Sequence, residues 1–66
     1  MKITLNGKLR EIADAWSLEE LLEANSFGNK RVAVEINRQI ISRSLHGEHM
    51  INVGDHVEIV HVIGGG

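Results

Sequence analysis

Cysteine is absent from this chain of 66 residues, and its aromatic side chains are one Trp and one Phe. Without cysteine there can be no disulfide, no thiolate zinc site and no cysteine nucleophile. A chain this short buries only roughly 60% of the surface its unfolded form exposes, so regular secondary structure and one packed core must stabilise it. Little room remains for a large lined pocket, and a non-enzymatic role is expected. Positive charge is scarce as well: 7 Lys+Arg face 9 Asp+Glu, and Lys30-Arg31 is the only adjacent basic pair. With neither a basic stripe nor aromatics on which bases could stack, nucleic acid is not an expected partner. Apolar runs extend only a few residues, too short to span a membrane. Met1-Lys2 leads directly into alternation with no apolar leader, so a cytoplasmic location is expected.

What is present is a sequence of short, well-marked elements. Met1 to Leu5 alternates apolar and polar, as a half-buried strand does. Asn6-Gly7 then supplies the two positive-φ positions that a type I′ hairpin needs, and Lys8 to Ala13 returns as a second strand. The register of that strand is open, because Leu9 and Ile12 cannot share a face without a bulge. Ser17-Leu18-Glu19-Glu20 is a capping box, and Trp16 and Leu21 have the spacing of a hydrophobic staple. Leu18, Leu21 and Leu22 form one apolar face of a helix near two turns long, with Asn25 and Gly28 at its exit. So short a helix requires a sheet beneath it.

Beyond the helix, Arg31 to Ile36 is a strand with Val32, Val34 and Ile36 inward. Asn37-Arg38-Gln39 turns the chain into a short strand at Ile40-Ile41, and residues 42–52 are irregular. Gly54-Asp55 opens the last strand, His56 to Ile63. Val57, Ile59 and His61 share one of its faces; Glu58, Val60 and Val62 share the other. Strand, strand, helix, strand, short strand, strand makes an α+β fold, a single mixed sheet with one helix packed across it. This is the β-grasp, or ubiquitin-like, arrangement, expected over residues 1–63 with a flexible glycine tail at 64–66.

That tail is the first candidate for chemistry. Gly64, Gly65 and Gly66 have no Cβ and can thread a slot that any side chain would block, presenting the α-carboxylate of Gly66. Extended, residues 61–66 reach on the order of 20 Å. Outward Val60 and Val62, with Ile63, offer an apolar surface beside the tail, and Glu58 a charge within it. Asp55, like Glu58, is a candidate docking charge flanking the tail, with turn chemistry as the plain alternative for Asp55 and a solvated face for Glu58. His46-Gly47-Glu48-His49 lacks the helical spacing of a metal motif and reads as a polar loop, so no metal site is expected. Glu19, Glu20 and Glu23 are explained by the electrostatics of a helix start.

These residues together resemble the sulfur carrier proteins of thiamine biosynthesis, over essentially the whole chain. The likeness runs through Asn6-Gly7-Lys8, Ser17 to Leu22, Val32-Ala33-Val34-Glu35-Ile36-Asn37, Ile40-Ile41 with Arg43, Gly54 to Val60, and Gly64-Gly65-Gly66. The resemblance implies a carrier that is monomeric when free and binds no cofactor of its own. A ubiquitin-activating-type (E1-like) adenylyltransferase, using ATP and Mg²⁺, would adenylate Gly66. A persulfide fed by a cysteine desulfurase would then leave a thiocarboxylate there, and thiazole synthase would accept the sulfur. Val53 and the lack of proline depart from the usual pattern without touching the glycines. Two other readings use the same tail: the small subunit of molybdopterin synthase, which is usually longer and often carries prolines before its glycines, and a ubiquitin-like protein modifier. A plain interaction domain with a passive tail is a further alternative.

Overall fold

The computed structural model describes residues 1–28 and 30–62. The first hairpin joins β1 (Lys2–Leu5) to β2 (Lys8–Glu11) through Asn6 and Gly7, both at positive φ, 50° and 82°. β2 is shorter than the sequence pattern predicts and needs no bulge. It ends at Glu11, and Ile12 turns into the core while its N–H donates to the Met1 carbonyl. Ile3 pairs with Arg10 and Leu5 with Lys8, so the helix-side positions of this edge strand are cationic and exposed. Leu9, opposite Thr4, points to the other face.

Helix α1 (Leu18–Ala24) begins at Ser17 with both halves of the capping box formed. The Ser17 N–H donates to Glu20 Oε1 at 2.9 Å, and the Glu20 N–H to Ser17 Oγ at 3.2 Å. Two further N–H groups of the first turn would lack partners within the helix. They are met by distant carbonyls, Leu18 donating to His49 and Glu19 to His46. The irregular segment after β4 (Gln39–Ile41), with its 3₁₀ turn at Arg43–Leu45, is thereby fastened over the helix start. Ile51 donates to the Trp16 carbonyl alongside.

The exit from α1 differs from expectation. Phe27 N–H donates to the Leu22 carbonyl and Ser26 N–H to Glu23, the paired bonds of a Schellman motif. Its left-handed position is held by Ser26 at φ 66°, and neither Asn25 nor Gly28 takes that conformation. Asn25 serves differently, its Nδ2 donating to the Leu21 carbonyl at 2.9 Å.

β3 (Val32–Ile36), β4 and β5 (His56–His61) complete a five-stranded sheet in the order β2-β1-β5-β3-β4. Among the described residues only the central β1–β5 pair is parallel. β5 ends two residues before the predicted Ile63, although Val62 N–H still donates to the Arg31 carbonyl. Where β1 bends into its turn, the Asn6 side chain continues the ladder: its Oδ1 accepts the Ile59 N–H at 2.7 Å. Leu18, Leu21 and Leu22 share one buried cluster with Ile3, Leu5, Val34, Ile36, Val57 and Ile59 of the sheet and with Ile12 and Ile51. Each fully buried aliphatic side chain contributes roughly 1.5–3 kcal/mol relative to exposure. The arrangement is the expected ubiquitin-like α+β fold.

Candidate functional site

The helix covers one face of the sheet and leaves the other open. Because β5 alternates, its even residues all point to that open face. Glu58, Val60 and Val62 are exposed as anticipated, Val60 at 61% and Val62 at 49%. Their row follows the strand from which the tail departs. Ile63, Gly64, Gly65 and Gly66 lie outside the described residues.

Pairing across the sheet adds members that the sequence reading did not single out. Ala33 stands opposite Val60, and Glu35 opposite Glu58. Ile40, 76% exposed, stands on the far side of Glu35, and Leu9 reaches the same face from β2. Alternation along β3 already placed Glu35 outward, but only the register brings it beside Glu58. The open face thus carries Leu9, Ile40, Val60 and Val62, with Lys2, Thr4 and Glu11 toward the β2 edge and Glu35 and Glu58 across β3 and β5. His56 and Arg38 border it at the end of β5 away from the tail, and with Asn37 and Glu58 they wall a shallow hollow of ≈ 370 Å³.

Asp55 belongs to the framework and not to this surface. It lies before β5, at the end away from the tail, and is only 7% exposed. Its Oδ1 accepts from Asn37 Nδ2 at 3.0 Å and its Oδ2 from the Asn52 N–H at 2.8 Å. Asn37 Oδ1 in turn accepts the His56 N–H at 2.9 Å. These bonds tie the β3–β4 turn to the start of β5, and they account for the aspartate by turn chemistry.

The histidines likewise have structural surroundings. His46 is buried, with Nε2 3.2 Å from the Ile41 carbonyl, and the backbone carbonyls of His46 and His49 cap α1. His61 is on the helix side of β5, its ring edge-on to Phe27 at 5.4 Å, so it and His56 face opposite sides. Among the described residues no group of three or more His, Asp or Glu could hold a metal ion. No helix among them is long and apolar enough to cross a membrane.

A mixed five-stranded sheet with one helix packed on it, in a sequence that carries Gly64-Gly65-Gly66 after its last strand, is the pattern of small β-grasp proteins. Within it, a model of the ThiS family matches residues 3–66, and the chain belongs to that family. The crystal structure of a thiamine biosynthesis protein (ThiS) from Geobacter metallireducens superposes with a TM-score of 0.87 at 32% identity, covering all of both chains. The sulfur carrier protein ThiS of Bacillus subtilis is 37% identical over 65 residues, covering 97% of this chain and 98% of that one. A thiazole synthase of Magnetococcus marinus is 41% identical over all 66 residues, which are 20% of its length. The chain therefore spans about a fifth of the first relatives it matches.

Proposed function

We propose that this chain is a sulfur carrier of thiamine biosynthesis, acting as a co-substrate of partner enzymes and not as a catalyst. The observation that carries the reading is the family match, which extends through the glycines to residue 66. The exposed row Glu58–Val60–Val62 supports it, since an enzyme grasping the tail must sit over that end of β5. Relatives named as sulfur carriers and as thiazole synthases favour the thiamine branch over molybdopterin synthesis or protein modification.

The chemistry follows from what a terminal glycine offers. A carboxylate is a poor electrophile, so an adenylyltransferase supplies the leaving group: a Gly66 carboxylate oxygen attacks the α-phosphorus of ATP, bound with Mg²⁺, and pyrophosphate departs. A persulfide, ultimately from a cysteine desulfurase, then displaces AMP, and a thiol cleaves the resulting S–S bond to leave the thiocarboxylate. Thiazole synthase takes the sulfur from there. Gly64 and Gly65 contribute access, because no Cβ obstructs their passage to the reacting centre.

Mass analysis of intact and fragmented protein, after incubation with an activating enzyme, ATP and a sulfide source, tests the reading. Exchange of sulfur for oxygen at Gly66 is expected. Oxidation of Met1, Met50 or Trp16 produces the same nominal change, so the fragment bearing Gly66 decides, and thiol alkylation has no cysteine background. An unchanged Gly66, with the enzyme active on another carrier, would overturn the proposal.

A further inference from the structure

Two asparagines open the two hairpin turns, and each reaches from its turn to the same strand. Asn6 and Asn37 have φ of 50° and 52°, the left-handed conformation that asparagine, aspartate and glycine all tolerate. Both side-chain Oδ1 atoms accept a backbone N–H of β5: Asn37 that of His56 at 2.9 Å, Asn6 that of Ile59 at 2.7 Å. Asn37 thus holds the beginning of β5 from the β3 side, and Asn6 holds its middle from the β1 side. Asn6 does so where β1 has run out. The β1–β5 register ends at Leu5 opposite Val57, the Asn6 N–H donates to the Val57 carbonyl, and its side chain takes the next N–H on that edge. Further toward the tail the strand pairs with β3, Val60 opposite Ala33 and His61 opposite Val32. A turn requires only positive φ, so the contact of the Asn6 side chain with a strand 53 residues away is a second use of this position.

We propose that Asn6 is a positioning residue for the C-terminal tail in the activation step, a role that rests on the carrier reading above. Among the described residues its bond to Ile59 is the last hold on β5 from the β1 side, and it fixes the direction in which Val60, His61 and Val62 leave the sheet. Without that bond, residues 60–62 are held by one neighbouring strand. Their fraying adds three residues to the chain that must be ordered when an enzyme grips the glycines. Each residue so ordered opposes binding by the conformational freedom it loses. Asn6 acts through β5, since Ile59 is seven residues from Gly66.

Three variants separate this role from plain loss of stability. Asn6→Gly keeps the turn, because glycine accepts positive φ, and removes the side-chain acceptor. In the free chain, hydrogen exchange at the Ile59 amide then speeds up about tenfold relative to the Leu21 amide of α1. With an enzyme that adenylates the unaltered chain, followed by pyrophosphate release, the same variant raises KM about fivefold and leaves kcat unchanged. Asn6→Asp retains both the acceptor and the left-handed tolerance, and restores the Ile59 protection and the native KM. Val34→Ala destabilises the core at least as much and leaves KM unchanged. The proposal is overturned if Asn6→Gly leaves the Ile59 amide as protected as before, if it keeps the native KM, if Asn6→Asp fails to restore both, or if Val34→Ala raises KM equally. An unaltered chain that is not adenylated by an enzyme active on another carrier overturns the carrier reading, and the role in activation with it, while the exchange result still decides whether Asn6 holds β5.

Discussion

The two faces of the sheet are built from the same residue types and have opposite consequences. Val34 and Val57 on the helix side are 0% and 1% exposed, while Val60 on the open side is 61% exposed and Ile40 76%. Val57 and Val60 lie on one strand, three residues apart. Nothing in a valine assigns it to core or surface; parity along the strand does, once α1 has chosen a side. On the covered face apolar area removed from water is stability. On the open face the same area stays in contact with water, with the acidic residues Glu35 and Glu58 set among it.

Four substitutions would sharpen or break that contrast. The largest effect is expected in the tail. Gly65→Val should leave urea unfolding unchanged but lower adenylation about a hundredfold or more, because a β-branched side chain blocks the passage and displaces the reacting carboxylate. Native-rate adenylation of this variant would refute the threading argument. Next is the pair of valines: Val34→Ala should cost about 2 kcal/mol in chemical denaturation, whereas Val60→Ala should stay within about 0.5 kcal/mol and weaken partner binding. Equal losses of stability from the two would mean that the open face is part of the core after all. The smallest effect, of opposite sign, is Ser26→Gly, expected to stabilise by about 0.5–1 kcal/mol by relieving a left-handed serine. Destabilisation there would show that the Ser26 side chain makes a contribution beyond the backbone geometry.

Features depending on neighbours in sequence were legible in advance. Asn6-Gly7 read as a hairpin because positive φ at two successive positions is a local property, and both residues have it. The capping box read correctly because Ser17 and Glu20 satisfy each other within one turn. Inward Val32, Val34 and Ile36 followed from alternation alone. What failed had a remote cause. β2 was drawn too long because its end depends on Ile12 finding the core. Asp55 was considered for the surface because it precedes the last strand; its bond from the Asn52 N–H is local, but the one from Asn37 that fixes it in the framework forms only when β3 and β5 pair. The loop carbonyls of His46 and His49 that cap α1 gave no signal at all.

The site divides in the same way. Glycines at 64–66 and the outward parity of Glu58, Val60 and Val62 are properties of the chain, present before any folding. Glu35 beside Glu58, with Ile40 beyond it and Leu9 across the sheet, is a property of register between strands distant in sequence. The first hairpin turn, the capping box and strand parity were settled within the chain, because each is decided by steric and hydrogen-bonding preferences within a few residues. Tertiary structure alone decided which outward residues became neighbours, since strand order and register are selected by burying α1 against one face of the whole sheet.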